Sequence, residues 1–131
     1  MRISDWVYIS DGARIGKHAI IGKGTKIGQR VKIGAGVKIR QAVIIDEGSK
    51  LGEGVTIGGH VGIAREVIIG DEAQIGYGVS IDYKTSIGRH AKVGRRASIG
   101  KSANIGEKIV IVAETHIGIG SVLFNNTSVK D

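Results

Sequence analysis

The sequence contains no cysteine and no proline. Without cysteine, disulfides and thiolate metal sites are excluded, and the redox compartment leaves no mark on the chain. Without proline, a Pro-rich disordered chain is excluded. Aromatic residues are few: Trp6, Phe124, Tyr8, Tyr77 and Tyr83. The interior must therefore be filled with Ile, Val and Ala. No apolar run approaches the roughly 18–20 residues of a membrane span. The opening segment MRISDWVYISD carries two aspartates and lacks the continuous apolar stretch of a secretory signal. A soluble, cytoplasmic protein with no membrane partner is the default expectation.

Glycine is what the chain has in excess, 22 of 131 residues. At this length one domain is expected, spanning residues 1–131. A stretch such as IGKGTKIGQRVKIGAGVKI, residues 21–39, sets Gly22, Gly24 and Gly28 among lysines in the manner of a phosphate-binding loop. Such a loop requires a following helix whose N-terminus holds the phosphate. The sequence around it rules that out, because aliphatic residues recur at every sixth position, from Ile3, Ile9, Ile15 and Ile21 through Leu123 and Val129. Two residues before each lies a small or aliphatic side chain, such as Val7, Ala13, Ala19, Thr25 and Val31. The residue after it is usually glycine, as at Gly16, Gly22, Gly28 and Gly34.

Positions two apart on a strand share a face, so the small residue and the Ile both point inward. The residue between them points outward and is often polar: Arg14, Lys26, Lys32, Lys38, Lys50, Gln74. Three positions remain to turn the chain, and glycine is expected there because it accepts backbone angles that a Cβ penalises. A period of six would scatter the isoleucines around an α-helix. Each hexad is therefore one short strand plus one corner, and units this short must stack into a solenoid.

The pattern small-x-Ile/Leu/Val-Gly-x-x resembles the hexapeptide-repeat superfamily over essentially the whole chain. The resemblance implies an all-β fold: a single left-handed parallel β-helix of triangular section, with three hexads per coil and about seven coils. Neither an inserted loop nor a flanking helix is expected. Less regular residues at about 1–12 and 121–131, among them Ser4, Trp6, Ser10 and Phe124, are expected to cap the exposed strand edges.

The net charge of +7 is uneven, with nine basic and two acidic residues in the first 45. This gradient reads first as a solvated surface, and an anionic partner for the basic third stays open. Nucleic acid is not expected as a partner, because aromatics for base stacking are scattered and no binding motif is present. Stacking should bring Arg14, Lys32 and Lys50 together as a basic ladder, most simply a solvated one.

Two functional readings follow. The unbroken register and the lack of a converged polar cluster favour a non-catalytic structural or scaffold solenoid, which needs no cofactor. Eighteen of the 22 core positions are Ile, so the repeat also has the look of an idealised or designed one. The alternative comes from the resemblance, since many hexapeptide-repeat proteins are trimeric acyltransferases that use acetyl-CoA or acyl-CoA as co-substrate and a His as general base. Under that reading His60 is the catalytic candidate. His18 and His90 sit at another corner and His116 points outward on a face. A zinc site of the kind seen in similar carbonic anhydrases is not expected, because no H-x4-H spacing exists and the nearest His pair is 26 residues apart. No metal is expected.

Overall fold

The computed structural model describes residues 1–124 together with the backbone of the strand at Ser128–Val129. The strands are two residues long and recur every six, beginning with Arg2–Ile3, Tyr8–Ile9 and Arg14–Ile15. They assemble into three parallel sheets, each taking every third strand. The register is strict: Arg2 pairs with Ile20, Ile20 with Lys38 and Lys38 with Thr56 on the first sheet, eighteen residues per coil. No helix occurs among the described residues, so none there is long and apolar enough to cross a membrane. The chain is a left-handed parallel β-helix of about seven coils, on the order of 35 Å long at ~4.8 Å per coil.

The core follows from the two inward positions of each hexad. Ile21, Ile57, Ile87 and Ile105 stack with their counterparts down the axis, and Val31, Val55, Ala73 and Ala91 fill the space beside them. Four inward positions hold hydroxyls instead: Thr25, Ser49, Thr85 and Thr115, all buried. Each is satisfied by the backbone. Thr25 donates to the Arg40 carbonyl at 3.1 Å, Ser49 to Ala64 at 2.7 Å and Thr85 to Gly100 at 2.8 Å, while Thr115 donates to Val112 at 2.8 Å. The core opens at the first coil, where Ile3 is 44 % and Trp6 79 % exposed.

The corners revise the expected role of glycine. Left-handed backbone angles occur at every sixth residue from Trp6 to Gly120, and thirteen of these residues are not glycine, among them His18, Arg30, Ala42, His60, Glu72 and Arg96. Seven are glycine, including Gly12, Gly24 and Gly36. Holding a side chain in this region costs roughly 1–2 kcal/mol. The conformation turns the amide toward the preceding coil: Gly36 donates to the Lys17 carbonyl at 2.8 Å, His60 to Gln41 at 2.9 Å and Arg96 to Tyr77 at 2.8 Å. These inter-coil bonds recur corner after corner and hold the strained residues in place.

The glycines that follow the core Ile, such as Gly16, Gly22, Gly28 and Gly34, have no positive φ. They are there for close approach. A Cβ on Gly16 would lie 2.6 Å from the Ala35 nitrogen, and one on Gly88 would lie 2.6 Å from both the Glu107 nitrogen and the Gly106 carbonyl carbon. The two glycine roles fall at different hexad positions and are opposite in cause. In IGKGTKIGQRVKIGAGVKI, Gly22 and Gly28 make room for the next coil, and only Gly24 and Gly36 take the left-handed turn.

Two tests follow by chemical denaturation. Gly88→Ala should destabilise by more than about 2 kcal/mol through overpacking against backbone, whereas Ala42→Gly should be neutral or stabilise by up to about 1 kcal/mol. Equal losses in both variants would contradict the assignment. Thr85→Val, close in shape but without the hydroxyl, should cost about 1 kcal/mol by removing the nearer of two donors to the Gly100 carbonyl, which keeps the Ala103 amide at 3.3 Å. An unchanged midpoint would show that the buried hydroxyl contributes nothing.

Candidate functional site

The corner residues that follow the first sheet stack in the column Ser4, Gly22, Arg40, Gly58, Gly76, Gly94 and Val112. Arg40 and Val112 interrupt the glycines, and three consecutive glycines lie between them. An open groove of about 710 Å³ runs there, along the first sheet and its corner. From Arg40 to Val112 is four coil steps, about 19 Å. Gly58, Gly76 and Gly94 keep its floor low, and none can carry a side chain. A Cβ would meet the Tyr77 nitrogen at 2.6 Å, the Arg95 nitrogen at 2.7 Å and the Ala113 nitrogen at 2.5 Å.

The groove is graded along its length. Arg40 and Gln41 stand at one end, Thr56 and Gln74 project into its middle, and Val110 and Val112 make the far end apolar. Lys92 supplies a second cation, and no Asp or Glu lines it. Such a trough suits an elongated ligand with anionic and apolar parts.

His60 sits at the same corner, in the left-handed position with φ 58°. It is exposed and does not line the groove itself. The link is Tyr77, which lines the groove and meets the imidazole of His60 with ring centroids 5.3 Å apart at 56°. Gly59 lies beside the Gln41 amide: a Cβ there would be 2.8 Å from Nε2, the movable end of a flexible side chain. The structure thus brings together His60, Tyr77, Gln41 and the groove. His18 and His90 lie at the third corner, and His116 points outward on the second sheet. Sequence reasoning singled out His60 but missed the groove and Tyr77. The signals for them were the Arg40 and Val112 interruptions and the Gly58–Gly59 doublet.

Elsewhere the surface is less organised. Arg14, Lys32 and Lys50 do pair in register on the third sheet, as a ladder of exposed cations. Arg30 forms an exposed ion pair with Glu47. A depression of about 370 Å³ around Gly62 is flanked by Asp46 and Asp82. Each of these carboxylates accepts the amide of the next residue, Glu47 at 2.9 Å and Tyr83 at 2.7 Å. Among the described residues no group of three His, Cys, Asp or Glu could hold a metal ion. The exposed isoleucines Ile44 and Ile68 lie on different sheets, so they build no common apolar flank.

Among solved structures, the chain is similar to GDP-perosamine N-acetyltransferase from Caulobacter crescentus in complex with CoA and GDP-perosamine. The TM-score is 0.78 at 19% identity, over 85% of this chain and 54% of that one. It is similar to a Bacillus cereus protein provisionally assigned as an acetyltransferase, with a TM-score of 0.83 at 18% identity over 88% and 71%. It is also similar to the acetyltransferase domain of PglB from Neisseria gonorrhoeae in complex with acetyl coenzyme A, with a TM-score of 0.52 at 20% identity over 95% and 54%. At these identities the likeness is one of fold, and the chain spans about half the length of the Caulobacter enzyme. No curated protein matches it. The family defined as the GMPPB C-terminal domain matches residues 3–82, more than half of the chain. With its unbroken hexads and its three-sheet β-helix, the chain belongs to the GMPPB C-terminal domain family, within the hexapeptide-repeat superfamily.

Proposed function

We propose that this β-helix binds a CoA-type acyl donor in the first-corner groove and transfers the acyl group with His60 as general base. The observation that carries the reading is the groove itself: about 19 Å long at the coil spacing, cationic at Arg40 and Lys92, apolar at Val110 and Val112, free of carboxylates and bordered by the His60–Tyr77 pair. Solved neighbours of the same fold include acetyltransferases in complex with CoA or acetyl coenzyme A. Arg40 and Lys92 would face the donor's phosphates, and the apolar end would take its uncharged chain.

The chemistry asked of the chain is modest. An acceptor hydroxyl or amine attacks the thioester carbonyl while the His60 imidazole takes its proton. As the tetrahedral intermediate collapses the C–S bond breaks, and the proton passes from His60 to the departing thiolate. Many enzymes of the superfamily that the chain resembles carry such sites between neighbouring prisms, and the open outer side of the groove is consistent with a second chain there. A trimer is the assembly this reading expects.

The structural-scaffold reading draws its support from a different observation, the register that holds from Arg2 to Val129 without a slip. The two separate on ligand binding. A ligand bound only by the folded state raises its stability by about 2.7 kcal/mol at a hundredfold excess over Kd. CoA should therefore raise Tm by on the order of 5–10 °C. Gln74→Trp, which fills the groove from an outward position, should abolish that rise while leaving the ligand-free Tm within about 2 °C. A saturating CoA titration with no change in Tm, on a protein that sediments as a monomer, would return the chain to the scaffold reading. In a thioester-cleavage assay, His60→Ala should lower kcat by about 10²-fold or more with CoA binding retained. Unchanged turnover would remove His60 from the mechanism.

A further inference from the structure

We infer that Tyr77 is a positioning residue for His60, setting where the imidazole stands relative to the groove. The inference rests on the acyl-transfer reading above and deepens it. Its starting point is how side chains at the left-handed corners are disposed. The Arg30 Cγ lies 3.6 Å from a Cβ built on Gly12, the Glu66 Cγ 3.5 Å from one on Gly48, and the Arg96 Cγ 3.3 Å from one on Gly78. In each case the side chain reaches back over the residue one coil earlier. A corner residue is therefore covered where the one stacked above it carries a side chain.

The position above His60 is Gly78, which has no side chain to offer, as is also the case for His18 beneath Gly36 and Arg30 beneath Gly48. The imidazole also has no hydrogen-bond partner among the described residues, so neither stacking nor a carboxylate fixes it. The contact that remains is diagonal. Tyr77, one residue short of a full coil from His60, brings its ring to 5.3 Å from the imidazole at a tilt of 56°, within the usual separation of packed aromatic rings. Tyr77 also lines the groove, whereas His60 does not. Its ring is thus the side-chain contact between the imidazole of the proposed base and the wall of the proposed donor site. A base left free on an exposed corner would spend much of its time in rotamers that cannot reach the reacting atom, and orientation is worth orders of magnitude in rate.

Tyr77→Leu tests this, since it keeps apolar bulk on the groove wall and removes the ring. Two readouts are taken on the same proteins. The first is the ¹H–¹³C spectrum of the four histidine rings, with the His60 signals identified by their loss in His60→Gln. The second is kcat and KM for acetyl-CoA. In Tyr77→Leu the His60 signals should lose the ring-current displacement and move toward those of His18, His90 and His116. Turnover should fall about tenfold with KM changed less than about twofold. Tyr77→Phe should restore both. His60 signals that stay in place would overturn the pairing, and a moved signal with unchanged kcat would overturn the positioning role. A rise in KM alone would make Tyr77 a groove wall and nothing more. Wild-type protein inert toward acetyl-CoA would remove the reaction from both readings, and the spectra would then separate a bare packing contact from no contact.

Discussion

Backbone hydrogen bonds between coils govern this molecule. Each outward strand residue donates to a carbonyl almost one coil on, as Arg2 does to Ala19 and Lys38 to Val55, both at 2.9 Å. Those bonds bring successive coils to the spacing of paired strands, ~4.8 Å, and everything at the corners must fit within that distance. A Cβ directed along the axis then strikes the backbone of the next coil, so Gly16, Gly34, Gly70 and Gly88 are excluded from carrying one. Turning the amide back toward the preceding coil demands a left-handed residue, and the strain at Ala42, Glu66 or Glu72 is held by the bond it makes possible. The inward isoleucines supply burial, but the ladder dictates where they sit.

The same constraint makes a functional surface visible. A side chain breaks the glycine column only where something else allows it, and at the first corner it is broken at Arg40 and again at Val112. Between them the uniform floor of Gly58, Gly76 and Gly94 becomes a trough with Arg40 at one end, Val110 and Val112 at the other, and Lys92 beside Val110. A regular solenoid is otherwise nearly featureless: two-residue strands, alternating in and out, leave little to distinguish one face from another. Function has to be looked for where the repeat departs from itself.

Much of the fold was legible in the sequence because its period is its topology. The sixfold spacing of Ile3, Ile9 and Ile15 gave strand and inward face, and the eighteen-residue columns implied by the resemblance matched the observed pairing of Arg14 with Lys32 and Lys32 with Lys50. The hand came from the superfamily resemblance, since periodicity is silent on it. The division of the glycines was legible as position, since Gly22 follows the core Ile and Gly24 lies two residues on, but its two causes, backbone angle and close approach, were not. The candidate site was legible in one residue only. His60 stood out as a titratable group, but its partner Tyr77 lies on a diagonal between coils, which a strict column map passes over. Arg40 and Lys92, counted only as surface charge, acquire a role once the groove joins them.

The account holds that one strip of an otherwise repetitive prism is the binding surface. Amide chemical-shift mapping during a CoA titration tests this most directly. The predicted result is a set of shifts confined to the first sheet and its corner, centred on Arg40, Gln41, Gly59, Gln74, Tyr77 and Lys92, with the third-sheet ladder of Arg14, Lys32 and Lys50 unmoved. Shifts centred on that ladder, or none at saturating ligand, would contradict it.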